Sequence, residues 1–201
     1  MRDLIVIVAA YFLGCVQTGY YVVLSATGQD LRRMGSGGTG ARNAGRVLGR
    51  KGFVLTLLGD AGKGALAMAL PAWLHASPWA AAVALVAVAI GHVWPLQLRF
   101  SGGRGVAVGL GALAVFDPRL LGVLTVATLI GYAVSRRFQI SGLVGFALLP
   151  FAAWCFCLSG AALMGVGCLS FLVLFEHRSH ITRCLWPAPE TDDRSGTPSG
   201  D

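Results

Sequence analysis

Charge is what this sequence has least of. Only 12% of its 201 residues are Asp, Glu, Lys or Arg, against about 25% in an ordinary soluble domain. With 55% hydrophobic residues and a mean hydropathy of +0.69, too little polar surface remains to cover a water-soluble globule. Disorder is excluded as well, because it needs low hydropathy and high net charge. Cysteine is sparse and odd in number: Cys15, Cys155, Cys157, Cys168 and Cys184 form no CxxC pair and sit mostly in apolar runs. Neither a disulfide framework nor a zinc site is favoured. Acidic residues are scarcer than basic ones, 9 against 16, which leaves a formal net charge of +7. The aromatics lie in apolar runs rather than among the basic residues, so the surplus suits a membrane leaflet or small anions and not nucleic acid.

What the chain has is long apolar runs. A bilayer core of roughly 30 Å needs about 20 apolar residues per helix. Leu4–Leu24, Phe53–Leu74 and Trp79–Leu98 meet that length; Gly105–Phe116 is too short alone and reads as a buried or partial span. Leu120–Val134, Ile140–Leu158 and Ala161–Phe175 complete the set. The expectation is an all-α, polytopic membrane protein of about seven transmembrane helices, some short. It forms one domain over residues 1–186, with a disordered tail over 187–201 that is rich in Pro, Asp, Ser and Gly. Phe12-Leu13-Gly14-Cys15 faintly resembles a lipoprotein cleavage box. Asp3 and the uninterrupted apolar sequence after Cys15 argue for a retained first helix.

The cations orient the set. With the N-terminus outside, Arg32, Arg33, Arg42, Arg46, Arg50 and Lys51 fall inside, followed by Arg99 and Arg104, then Arg136 and Arg137, then Arg178, Arg183 and Arg194. Only Arg2 and Arg119 fall outside, and Lys63 lies within a span. The positive-inside rule therefore predicts N-out and C-in.

Polar residues gather in three segments, all on the inner side. Asp30 to Gly52 reads as a loop of glycines and arginines, Gly35-Ser36-Gly37-Gly38-Thr39-Gly40-Ala41-Arg42-Asn43 followed by Arg46. Glycines let successive N–H groups converge on one anion, and arginines supply a charged fork. A solvated positive-inside loop is the plainer alternative. Gly35, Gly37 and Gly40 satisfy G-x-G-x-x-G, but no strand precedes them, so this is no dinucleotide fingerprint. The second segment, Gly91-His92-Val93-Trp94-Pro95 to Phe100-Ser101-Gly102-Gly103-Arg104-Gly105, feeds a helix N-terminus, a natural phosphate site. The third, Glu176 to Arg183, puts His177 and His180 on one helix face; without a third ligand they make a poor metal site. Inside the second span Asp60 and Lys63 are spaced to pair.

Together these residues resemble the bacterial PlsY family of acyl-phosphate:glycerol-3-phosphate acyltransferases, from Tyr11 to Arg183. Tyr11-Phe12-Leu13-Gly14 is similar to the family's opening Tyr-Leu-Leu-Gly, and Gly35 to Asn43 to its G-S-G-N-I-G-A-T-N. Asp60 to Gly64 is similar to D-x-x-K-G, the second segment to G-H-x-F-P…F-x-G-G-K-G-V-A, and His177 to Arg183 to H-R-x-N-I-x-R. The departures are Gly38 for Asn, Arg42 for Thr, Arg104 for Lys, His180 for Asn and Trp94 for Phe.

The resemblance implies transfer of a fatty acyl group from acyl phosphate to the 1-hydroxyl of sn-glycerol 3-phosphate, the first acylation of phospholipid synthesis. It gives lysophosphatidic acid and phosphate in the bacterial inner membrane, with the active site facing the cytoplasm. It implies catalytic roles for Ser36, Arg46 and Arg104 on phosphate, with His177 and His180 at the glycerol phosphate. It implies substrate contacts from Gly35, Gly37, Gly40, Asn43, Lys63, His92, Gly102, Gly103 and Gly105. No cofactor and no metal are implied; the partners are the two substrates, the bilayer and an enzyme that produces acyl phosphate. No His is followed five positions later by Asp, and no Gly-x-Ser-x-Gly elbow exists. The chemistry therefore rests on positioning and charge. Two alternatives stay open: a pseudoenzyme of the same family, and a small transporter or scaffold that binds anionic lipid precursors.

Overall fold

The computed structural model of the protein describes residues 1–185, with side chains to Thr182. The expected disordered tail, 187–201, lies outside the described residues. Among the described residues all regular structure is helical: α1 (Arg2–Cys15), α2 (Thr18–Thr27), α3 (Ala41–Trp73), α4 (Pro78–Val93), α5 (Val106–Phe116), α6 (Pro118–Ser135), α7 (Phe138–Cys155), α8 (Gly160–Glu176) and α9 (Arg178–Leu185). Five stretches are long and apolar enough to cross a membrane: Arg2–Thr27, Ala41–Trp73, Pro78–Leu98, Pro118–Ser135 and Phe138–Cys155. Two shorter apolar helices, α5 and α8, complete the expected set of about seven.

α4 is apolar all round and lies at the centre, as such a helix must. It packs on α1, α3, α5 and α8. Its Ala84, Leu85, Ala87, Val88 and Ala89 join Val108, Leu113, Phe146, Leu149 and Leu169 in one buried core. Small residues bring the backbones close: Gly14 and Gly91 sit at the α1–α4 crossing, Gly64 and Gly111 at the α3–α5 crossing. Apolar side chains such as Leu58, Ile130 and Phe171 face outward, as lipid contact requires.

Two features depart from the sequence expectation. The first span is broken: Val16 and Gln17 leave helical geometry between α1 and α2. And α3 starts at Ala41, so most of the expected Gly/Arg loop is helix. Its 33 residues make it roughly 50 Å long at 1.5 Å per residue, more than a bilayer core. The excess is the first two turns, set off by Gly49, whose φ of 65° breaks the helix where a side chain would be strained.

At one end of the bundle Asp3 accepts from the amide and hydroxyl of Ser77, tying the start of α1 to the α3–α4 turn. At the other end lie the α2–α3 loop, the α4–α5 turn, the α6–α7 turn and the start of α9, which together carry all three polar segments.

Candidate functional site

The site grows from two helix beginnings. α4, α6 and α8 start at the Asp3 end, and each is capped by a side chain: Ser77 accepts from the Ala80 amide, Asp117 from Arg119 and Ser159 from Ala162. α3 and α5 start at the opposite end behind Gly40 and Gly105, and neither has a side-chain cap. Their first-turn N–H groups therefore lack a side-chain acceptor, an arrangement that suits an anion. The segments before them meet, since the Thr39 amide donates to the Gly102 carbonyl at 3.4 Å and the Arg32 guanidinium reaches the Leu98 carbonyl at 2.8 Å. Arg32 is held in turn by Asp30 at 2.6 Å, whose carboxyl this contact keeps below the usual carboxylate range.

Asn43, in the first turn of α3, shapes the loop ahead of it. Its side-chain amide donates to the carbonyls of Met34 (2.9 Å), Gly38 (2.8 Å) and Leu31 (3.2 Å), and its oxygen accepts from the Ser36 amide at 2.9 Å. Asn43 is buried in this role. Ser36 is exposed at the loop's tip, between Gly35 and Gly37.

Arg46 is exposed on α3 and lines a groove of about 450 Å³ with Arg42, Gly45, Gly49, Arg50 and Phe53, within the size range of ligand pockets. Arg42 also donates to Gln139, which ties the start of α7 to the start of α3. Arg104 is exposed two residues ahead of α5, at the end of the glycine turn.

His177 is buried at the end of α8. Its Nδ1 lies 2.8 Å from the Val173 carbonyl. A carbonyl can only accept, so the proton is on Nδ1 and Nε2 keeps its lone pair. Burial, joined by the positive charges of Arg104 and Arg42 and by the neighbouring His180, pushes its pKa below the ordinary imidazole value, against the opposing bond to Val173. His180, in the first turn of α9, is half-buried, and its amide donates to the His177 carbonyl.

Lys63 and His92 sit elsewhere, deep in the bundle. Lys63 Nζ is 2.9 Å from Asp60 Oδ1 and 2.9 Å from His92 Nδ1, and it also donates to the Val16 carbonyl. The Asp60 contact is an ion pair without hydrogen-bond alignment, since neither carboxylate oxygen has a directed partner. Gly103 lies against the His92 ring, where any side chain would collide. Three glutamines escaped the sequence reading: Gln17, Gln97 and Gln139. For Gln17 a signal existed, an amide within an apolar run. Among the described residues no group of three His, Cys, Asp or Glu could hold a metal ion.

Fold and site define a polytopic α-helical membrane protein with glycine-led, arginine-rich segments gathered at one end of its bundle. A family model described as glycerol-3-phosphate acyltransferase matches residues 4–186, and the chain belongs to that family. It is 43% identical over 185 residues to glycerol-3-phosphate acyltransferase 1 of Desulfitobacterium hafniense, covering 92% of each chain. It is 37% identical over 193 residues to the glycerol-3-phosphate acyltransferase of Methylobacillus flagellatus, covering 92% of this chain and 94% of that one. Among solved structures it is similar to PlsY, an integral membrane glycerol 3-phosphate acyltransferase, in its glycerol 3-phosphate form. The TM-score is 0.82 and the identity 27%, with 92% of each chain covered.

Proposed function

We propose that the protein transfers a fatty acyl group from acyl phosphate to the 1-hydroxyl of sn-glycerol 3-phosphate, releasing lysophosphatidic acid and inorganic phosphate. The observation that carries this is the contact, at Thr39 and Gly102, of the glycine segments that lead into two helix N-termini without side-chain caps, at the end of the bundle that also carries Arg46, Arg104 and His177. Both substrates are phosphates, and such termini hold phosphate without a bound cation. Arg46 and Arg104 add charge, and Ser36 offers a hydroxyl and an ordered backbone at the loop tip.

His177 faces the acceptor. Its Nε2 lone pair takes a hydrogen bond from the 1-hydroxyl and aims that oxygen at the acyl carbon. Attack forms the new C–O ester bond and breaks the C–O bond to phosphate. The electron pair leaves with the phosphate, and the hydroxyl proton ends on it as hydrogen phosphate. The mixed anhydride has a good leaving group, so stabilising the developing charge is the main demand. Asn43 serves by shaping the loop, not by touching substrate.

We place the site on the cytoplasmic side of a bacterial plasma membrane, with the N-terminus outside, by the positive-inside rule. There an acyl-phosphate-producing enzyme supplies the donor.

The test is phosphate release by purified protein from palmitoyl phosphate plus glycerol 3-phosphate, with palmitoyl-CoA as the parallel donor. Turnover with acyl phosphate, at least a hundredfold faster than with the thioester, is expected. Equal rates, or binding of glycerol 3-phosphate without turnover, would overturn the reading.

A further inference from the structure

The break in the first span exposes backbone where a membrane protein can least tolerate it. The carbonyls of Gly14, Cys15 and Val16 fall at the C-terminus of α1, where intrahelical donors run out. Each is met by a long polar side chain: Gln17 on Gly14 at 3.2 Å, Gln97 on Cys15, Lys63 on Val16. Lys63 also brings a positive charge to the negative end of α1. These groups do more than repair a break.

Gln17 Nε2 donates as well to the His92 carbonyl at 3.0 Å, and Gln17 Oε1 accepts from the Thr39 hydroxyl at 2.6 Å. The His92 carbonyl accepts in addition from the Gly103 amide at 3.0 Å, and the Val93 carbonyl from Gly102 at 3.1 Å. An ammonium paired with the Asp60 carboxylate has no lone pair, so His92 Nδ1 must accept from Lys63. The His92 proton is then on Nε2, at the ring edge against which Gly103 lies. From Asp60 a continuous buried chain runs through Lys63, His92 and Gln17 to both glycine segments.

We propose that Gln17, Asp60, Lys63 and His92 are positioning residues, a buried clamp that sets the separation of the two phosphate-binding segments from inside the bundle. This rests on the acyltransferase reading for its consequence, though not for its geometry. Lys63 and His92 are spent on protein partners, so they act on substrate only through Thr39, Gly102 and Gly103. Nothing in the clamp is exchanged during the reaction; it holds a distance.

Four proteins test it: wild type, Thr39→Val, Thr39→Ser and Lys63→Met. Steady-state kinetics with palmitoyl phosphate and glycerol 3-phosphate are measured beside amide hydrogen exchange in the same detergent. Val preserves the volume of Thr39 and removes its hydroxyl; Ser keeps the hydroxyl and loses a methyl. A packing role favours Val, whereas the clamp favours Ser. The expected result is kcat/KM reduced at least tenfold in Thr39→Val and Lys63→Met, mainly through KM for glycerol 3-phosphate, and within threefold of wild type in Thr39→Ser. Amides in residues 99–105 should exchange at least tenfold faster in Lys63→Met, with the α6–α7 turn unchanged. Val as active as Ser overturns the clamp, and so does lost activity without faster exchange in 99–105. Should Lys63→Met fail to fold, the Val and Ser pair decides. A wild type that does not turn over refutes the acyltransferase reading, and exchange alone then decides the clamp.

Discussion

Replacing Asn43 with alanine should cost activity far more than stability. The side chain accepts from the Ser36 amide at 2.9 Å and donates to the Met34 and Gly38 carbonyls at 2.9 and 2.8 Å. At about 1 kcal/mol net for each neutral hydrogen bond, these three contribute about 3 kcal/mol to the ordered loop. Asn43 is only 2% exposed, so water cannot stand in without the loop opening. That energy, drawn from the population of the competent loop, corresponds to about 150-fold in kcat/KM. The core of α4, α5, α7 and α8 lies elsewhere, so the thermal unfolding midpoint should move by only a few degrees. Asn43→Asp is the sharper variant: it faces the same carbonyls with a second acceptor where they need a donor, and should be at least as damaging. The assay is phosphate release under saturating palmitoyl phosphate and varied glycerol 3-phosphate, with unfolding followed in the same detergent. An Asn43→Ala protein within threefold of wild-type kcat/KM would refute the claim that Ser36 depends on this amide.

Arg104→Ala should lower kcat/KM by about 30- to 5000-fold, the 2–5 kcal/mol typical of removing one partner of a desolvated charge pair, while insertion is unchanged. Arg104→Lys should lose part of the activity, because an ammonium does not reproduce a guanidinium fork; kinetics of both variants decide. With His177 acting as its neutral form, kcat/KM should fall toward acid with a midpoint below the usual value of about 6.5. Arg104→Ala removes a repelling cation, so its residual activity should show that midpoint at higher pH; a pH–rate profile with no shift would contradict this. The same depression means that folded stability is fully present above the unfolded pKa and declines as pH falls through the folded one. Gly103→Ala collides with His92 and should destabilise by about 1–3 kcal/mol, as overpacking does, with activity lost beside a lowered unfolding midpoint. Cys155 and Cys157 are exposed at the Asp3 end of the bundle. In intact spheroplasts both should react with a membrane-impermeant maleimide, and protection of both would reverse the N-out orientation.

Much of this was legible in the sequence because hydrophobic runs and cation placement answer to one strong constraint, the bilayer. The span ends at Trp79, Leu120 and Ala161 fall within two residues of the starts of α4, α6 and α8, since Pro78, Pro118 and Ser159 mark those starts. What failed was the assignment of Ala41 to Gly52 as loop. Its glycines look like breakers, yet Gly45 and Gly52 are helical, and only Gly49 breaks the run. In helices that pack closely glycine is a contact surface, and nothing local to Gly45 or Gly52 distinguishes that use from a turn. The break at Val16–Gln17 was invisible for the opposite reason: neither residue is Pro or Gly, and the flanking Gly14 and Gly19 are both helical.

The roles of the site residues show the same division. Ser36, Arg46, Arg104 and His177 carry chemistry in their residue types, and the structure brings their segments to one end. Asn43, Lys63 and His92 carry equal polarity but turn inward, onto the loop or onto the broken span. Spacing cannot say which way a polar residue in a helix faces when both faces of that helix are occupied. The first span needs carbonyl partners at Gly14, Cys15 and Val16 because it breaks, and it breaks where Gln17 can join the His92 carbonyl to the Thr39 hydroxyl. A straight first helix would satisfy its own carbonyls and leave Lys63 unpartnered there, with Gln17 unable to reach both segments. The break is thus part of the construction of this end of the bundle: it converts an irregular stretch of membrane helix into the point from which the two glycine segments are held in register.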